Sequence, residues 1–337
     1  MKRHAFMLFL FALLLVTVLF SFTLGRFPVT WKEIWGFALQ SLFGAEIMDE
    51  QKLKALRNIL IAIRLPRVTA AALAGAALSV SGAVFQSMFI NPLVSPDLLG
   101  VLAGASFGAA LGMVLSKGWF AVQANAFLFG LIAVMIAVGM ARAFRGDSLL
   151  MLILGGIVSG SLFTALLTAI KYLADPQEQL PAIIYWLMGG FTMSDGRTTF
   201  LLTCPILLGI LILFCLSSHL NVLSMGDEEA KSMGINVGIL RAVFIVVTTF
   251  ISCLTVCLGG IIGWVGLVIP HIGRRLVGPN NQLLLPAVAM IGATYLVIVD
   301  NFARLLFRVE IPIGILTALM GIPFFVMVVR NTRKGWS

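Results

Sequence analysis

Charge is what this sequence has least of. Of its 337 residues, 11% are Asp, Glu, Lys or Arg and 60% are hydrophobic, whereas an ordinary globular domain carries roughly 25% charged residues. A water-soluble fold is excluded on that ground. Histidine and cysteine are also scarce, with three His and four Cys. Cys204, Cys215, Cys253 and Cys257 all fall inside apolar runs, and only Cys253 and Cys257 stand in a helical i, i+4 relation. They read as small buried apolar residues, with no zinc or disulfide framework. His271 follows Pro270 with no Cys or carboxylate near it in sequence, so it reads as structural and no metal site is expected. The histidines are far apart and intramembrane carboxylates are few, which leaves no nucleophile, acid and base set for a membrane enzyme. No Gly-x-x-x-x-Gly-Lys-[Ser/Thr] loop occurs, so the chain has no phosphate cradle of its own.

The net charge of +9 is spread thinly among loops, without the basic face and interleaved aromatics that nucleic acid requires. It is better read as the charge that sets membrane topology.

What the sequence does contain is apolar runs. A helix needs about 20 predominantly apolar residues to cross a bilayer, and ten candidate spans meet or approach that length: 5–24, 68–89, 98–115, 120–140, 149–173, 200–216, 239–258, 260–276, 285–306 and 312–329. The first follows Lys2, Arg3 and His4 like a signal peptide, but it is too long and lacks an Ala-x-Ala cleavage site, so it is retained as a span. One all-α membrane domain over 1–337 is expected.

An even number of spans puts both termini on one side. Lys2, Arg3, Arg330, Arg333 and Lys334 make that side the cytoplasm. On this topology the outside carries twelve basic residues and the inside eleven. Seven of the twelve lie in one long connection, Arg26 to Arg67, and setting it aside leaves five against eleven. Within that connection Thr30-Trp31-Lys32-Glu33 predicts a capping box opening an amphipathic surface helix, part of short external helices over about 30–60. A second short external helix is expected at 180–191, apolar but too short to cross.

Gly104, Gly108 and Gly112 form one helical row, and Gly156 with Gly160 repeats the spacing. Small residues at this period let helix backbones approach closely. Similar Gly-rich passages at Gly82 to Gly100 and Gly263 to Pro286 hint at a repeat, with two five-span halves that must then be inverted.

Three groups of motifs, Arg64-Leu65-Pro66-Arg67 with Ala74 to Gly82, Asn91-Pro92-Leu93-Val94-Ser95-Pro96-Asp97-Leu98-Leu99-Gly100, and Gly266-Leu267-Val268-Ile269-Pro270-His271 with Ile311-Pro312-Ile313-Gly314 to Gly321-Ile322-Pro323-Phe324, occur in the order seen in FecCD-family ABC permeases. The chain resembles that family over nearly its whole length. One departure is Leu102-Ala103, where many relatives carry small polar residues.

The resemblance implies a homodimer of ten-helix subunits, two cytoplasmic ATPase subunits that use ATP and Mg, and an external substrate-binding protein, all at a bacterial inner membrane. The cargo would be a ferric siderophore, haem, cobalamin or, in some members, molybdate or tungstate. It assigns Gly226, Asp227, Glu228, Glu229, Ala230, Lys231, Ser232, Met233 and Gly234 to a coupling helix that docks on the ATPase. It also assigns Arg64, Arg67 and Arg304 to docking of the binding protein. Arg304 has a competing reading, an i, i+4 ion pair with Asp300. Arg145 to Leu150 opens the fifth span, and an inner gate is expected at Ser148, Leu149 and Leu150. An ion-coupled secondary transporter is the rival class, disfavoured because the charges fall at span ends or in loops.

Overall fold

A computed structural model describes residues 2–44, 47–115, 118–144, 148–192 and 194–332. Among them are fifteen α-helices and no strand. Ten correspond to the expected spans: α1 (Lys2–Thr23), α4 (Leu65–Met88), α5 (Val101–Leu115), α6 (Trp119–Ala143), α7 (Ser148–Leu173), α9 (Gly196–Cys215), α12 (Val237–Gly259), α13 (Val265–Val277), α14 (Asn281–Leu305) and α15 (Ile313–Thr332). Five are short: α2 (Trp31–Phe43), α3 (Glu50–Arg57), α8 (Gln179–Leu187), α10 (Ser217–Leu223) and α11 (Asp227–Ser232). Arg145, Gly146, Asp147, Arg333 and Lys334 lie outside the described residues.

The C-terminal end of α1 meets the C-terminal end of α14: Ser21 Oγ donates to Asn301 Oδ1 at 2.7 Å and Arg26 to the Arg308 carbonyl at 2.7 Å. The two helices are therefore parallel, and α15 returns beside α14 to the end where α1 starts. That end, which the charge count assigns to the cytoplasm, is called inner below.

The bundle is organised around α4. Its apolar stretch is 83% buried, enclosed by α14, α12, α13 and α9. Helix on all sides requires small residues, and Ala70, Ala71, Ala74, Ala77 and Ala83 supply them. At Gly82 a methyl group would overlap the Gly266 backbone of α13. α4 also starts earlier than its apolar run: Glu50 to Met88 is one continuous 39-residue helix. Its π-helical stretch Asn58–Arg64 immediately precedes Pro66, which has no N–H to give to the ladder.

The Gly104, Gly108, Gly112 row faces α6, where added methyl groups would meet the backbone at Phe129, Asn125 and Val122. Outside the bundle, the capping box is complete: the Thr30 hydroxyl accepts from Glu33 N while Glu33 accepts from Thr30 N at 2.8 Å.

The third span of each half is short. α5 has 15 residues and α13 has 13, about 22 and 20 Å at 1.5 Å per residue. Each is entered through non-helical chain, residues 89–95 before the 3₁₀ turn Pro96–Leu99 and residues 260–264 before α13; the first is exposed over 90–93 and returns to the bundle at Val94, whereas the second stays largely covered. Such backbone is tolerated at membrane depth where protein covers it. The same device at the third position of both five-span halves is what two inverted repeats require. Trp264, at the second of these entries, adopts φ 69, a region an aromatic residue rarely occupies.

Candidate functional site

At the inner end, Gly226 (φ 122) turns the chain into α11, and Gly234 (φ 78) turns it out, both in backbone that favours glycine. Asp227, Glu228 and Glu229 occupy the first turn of α11, where the helix dipole favours them. One side of α11 is fixed to the bundle: Ala230 is fully buried, and Asp227 accepts from Arg241 of α12 at 2.6 Å. The other side is bare, with Glu228, Glu229, Lys231, Ser232 and Met233 exposed.

Behind α11 lies a polar chain that sequence spacing does not reveal. Asn221 on α10 accepts from the Asn281 backbone N–H at 2.8 Å and donates to Asn280 at 2.9 Å. Ser87 on α4 donates to the Asn281 side chain at 2.9 Å. Arg274 on α13 donates to Gln86 and, at 3.4 Å, to Ser87. Four helix ends are thereby tied together by residues up to 194 positions apart. His271, on the same helix as Arg274, packs edge-on against Phe324.

The expected gate at Ser148, Leu149 and Leu150 is the first turn of α7. Leu149 is half-buried and packs on the core, and Leu150 is exposed.

At the outer end lie the three arginines that the resemblance gives to receptor docking. Arg64, Arg67 and Arg304 are 3%, 7% and 6% exposed. Arg67 donates to Asp300 at 3.0 and 3.1 Å and to Glu310 at 2.9 Å. Arg304 pairs with Asp300 at 3.3 Å and donates to Ser21 at 2.9 Å. Arg64 donates to the carbonyls of Phe22 and Phe27. Glu310 further accepts from Thr192 at 2.8 Å. Arg304 and Asp300 form the i, i+4 ion pair that their spacing allows. Buried charges are retained only when compensated, and here two carboxylates from distant sequence do that. Burial pushes the Glu310 carboxyl up, but the Arg67 charge, with the Thr192 hydroxyl and Arg26, outweighs it and holds Glu310 below its ordinary range.

The cysteines divide. Cys253 and Cys257 are buried as expected, whereas Cys204 and Cys215 sit on the exposed face of α9, because a helix turned to lipid places small apolar residues outward as readily as inward.

Between the two broken spans lies a cavity of about 270 Å³ lined by Ser95, Asp97, Leu102, Ser252, Trp264 and Leu267, among others. A wider groove of about 590 Å³ shares Asp97 and runs along α7 past Gly160, Ser161, Thr164 and Thr168. A methyl group at Gly156 would overlap the Leu98 carbonyl, so the re-entrant turn lies directly on α7. Asp97 is one of the charges expected at span ends or in loops; its loop turns back against α7, which brings the carboxylate to the cavity.

A bundle of this kind, with broken spans meeting at an internal cavity and a charged helix braced at one end, is a membrane permease. The chain belongs to the FecCD transport family, whose model matches residues 13–331. It is 38% identical over 323 residues to the molybdate import system permease MolB of Haemophilus influenzae, covering 96% of this chain and 94% of that one. It is 38% identical over 286 residues to the probable iron chelatin transport system permease of Helicobacter pylori, covering 85% and 86%. A solved structure of a metal-chelate type ABC transporter in an inward-facing conformation superposes with TM-score 0.85 at 37% identity, covering 97% of this chain and 99% of that one. The chain is an ABC importer permease, a transport component.

Proposed function

We propose that this chain pairs with a second copy to form the path of a binding-protein-dependent importer that carries a metal chelate into the cytoplasm. An external receptor delivers the cargo, and two ATPase subunits, using ATP and Mg, drive alternating access. The observation that carries the reading is α11: its Ala230 side is locked to α12 through Asp227 and Arg241 while its charged side is bare. A helix held rigidly on one face and free on the other transmits a push from whatever docks on it. Gly226 to Gly234 are the residues given this role. Leu150 and the exposed apolar residues of α7 and α15, such as Leu154, Ile157, Leu319 and Ile322, supply the face for the second copy and the inner gate beside it.

Receptor docking falls on the outer surface, where Arg26, Arg197 and Arg308 are among the exposed cations. Arg64, Arg67 and Arg304 hold the platform beneath from within. Both termini lie in the cytoplasm and the membrane is the inner one, in keeping with the basic residues at the inner end.

A second reading, an oxyanion such as molybdate as cargo, is favoured by the extent of the match to the molybdate permease. The test is reconstitution with ATPase and receptor in liposomes, followed by ATP-driven uptake of ferric siderophore, haem, cobalamin and molybdate side by side. Chelate uptake abolished by Ala230→Arg is the expected result. Uptake that persists without the ATPase would overturn the ABC mechanism.

A further inference from the structure

We propose that Asp97 sets the charge selectivity of the transport path, giving it an acceptor-rich lining that favours cargo bearing positive charge or hydrogen-bond donors over a free oxyanion. The inference rests on reading the chain as a path-forming permease and deepens it by naming the cargo chemistry.

The first step is depth. Leu98 and Gly100 abut Gly156 and Gly160 of α7, eight and twelve residues from its first residue, Ser148, which is about 12 to 18 Å up a helix of 1.5 Å rise. The opposite wall agrees: Leu78, ten residues before the inner end of α4, lines the same cavity as Asp97. Asp97 therefore sits near the middle of the bundle, where an ionisable side chain is costly and marks function.

The second step is compensation. None of the ion pairs among the described residues involves Asp97, and the residue is exposed to the groove. Its carboxylate accepts a hydrogen bond from the Leu102 backbone near the start of α5. One N–H helps position the carboxylate and does not cancel its charge. The outer-end carboxylates Asp300 and Glu310, by contrast, are each held by arginine.

The third step is the company Asp97 keeps. Ile157, Ser161, Thr164 and Thr168 follow i, i+4, i+7, i+11 spacing, one stripe of α7 along the groove. Thr164 and Thr168 spend their hydroxyl protons on the carbonyls of Gly160 and Thr164, at 2.8 and 2.9 Å. Toward the groove those oxygens can only accept. Acceptors beside an anionic carboxylate repel a tetrahedral oxyanion, which is itself all acceptor. They suit a chelate whose surface carries amide, hydroxyl or ammonium donors.

The test reads the local potential without needing the cargo. The full-length chain, with Cys204→Ser, Cys215→Ser and the reporter Ser161→Cys, is reconstituted with its ATPase. Its labelling rates by a cationic and an anionic methanethiosulfonate are compared, with and without Asp97→Asn. Asn keeps an acceptor for Leu102 and removes the charge. The cationic reagent is expected to be preferred, and the preference is expected to fall about tenfold in the neutral variant, since the reagents differ by two unit charges close to the carboxylate. Asp97→Glu should keep it. A readout that leaves Asp97 untouched is Thr168→Cys, about 10 Å farther along α7, where the preference should be weaker. An unchanged ratio, or no access by either reagent, overturns the inference. Parallel uptake by the otherwise unmodified protein separates the two readings: no ATP-driven uptake of any cargo sinks the permease mechanism, whereas uptake with a molybdate-to-chelate ratio unaffected by Asp97→Asn sinks only the role of Asp97.

Discussion

Arg67 and Asp300, 233 residues apart, meet at the outer end of the central helix with the guanidinium Nε and Nη2 both within 3.1 Å of the carboxylate. The pair ties α4 to α14, and Glu310 extends it to the start of α15. Asp300 is the hub, because it also takes Arg304. Asp300→Ala leaves two buried guanidiniums facing each other with one carboxylate fewer, and removing one partner of a buried pair costs about 3–5 kcal/mol. Arg304→Ala, which leaves the Arg67 pairing intact, should cost less. Thermal unfolding of the purified permease in detergent checks the order, and a milder effect for Asp300→Ala would show that Asp300 is not the hub.

Acid should loosen the same cluster. The folded-state carboxyl of Glu310 is held below its ordinary range by Arg67, so its contribution is fully present above the unfolded value of about 4.3 and is lost as pH falls through the lower folded value. Stability attributable to Glu310 is therefore flat from neutral pH down to about pH 5 and declines below. The difference in unfolding temperature between the parent and Glu310→Gln, followed from pH 7 to pH 3, should shrink toward the acid end. A difference that grows there would mean the carboxylate is not the stabilising form.

The outer cluster shows where sequence reading stops. Runs such as 149–173 and 239–258 announce themselves because the bilayer demands length and apolarity from every crossing segment, and all ten spans are helices in the structure. Thr30 and Glu33 are legible because their partners are three residues apart. Arg67 looked like a surface cation because nothing local shows Asp300 or Glu310, and Arg64 because nothing local shows the carbonyls of Phe22 and Phe27. Asp97 looked like a loop residue because its depth depends on Gly156 and Gly160, more than fifty residues later. Motif resemblance located α11 but could not tell its bare face from its buried one.

The α5 and α6 contact depends on small residues. At Gly108 a side chain meets the Asn125 carbonyl backbone, which cannot yield as a flexible side chain would. Gly108→Val should separate the helices, and overpacking of this kind typically costs about 1–3 kcal/mol. Membrane insertion should be normal, because Val is at least as apolar. Expression with normal insertion and a lowered unfolding temperature is the expected pair of results; unchanged stability would show that the two helices have room to part.

The inner polar chain leads to the sharpest prediction about coupling. α11 can push only on what it touches, which is α12 through Asp227 and Arg241 and also α10, the helix that carries Asn221. Asn221 holds the Asn281 backbone, Asn281 holds Ser87 on the central helix, and Arg274 holds Gln86 and Ser87 from α13. α13 is one of the two broken spans that border the cavity at Asp97, so displacement of α11 reaches the path through four side chains. Asn221→Leu keeps approximate volume and removes both links. The docking face of α11 is untouched, so ATP hydrolysis by the assembled complex should stay within about twofold of the parent. Cargo uptake per ATP should fall roughly fivefold, about 1 kcal/mol of lost coupling, within the range that residues between coupled sites contribute. Uptake and hydrolysis measured on the same proteoliposomes decide it: a parallel fall in both would place Asn221 in folding or ATPase docking, and a fall in uptake alone would place it in transmission.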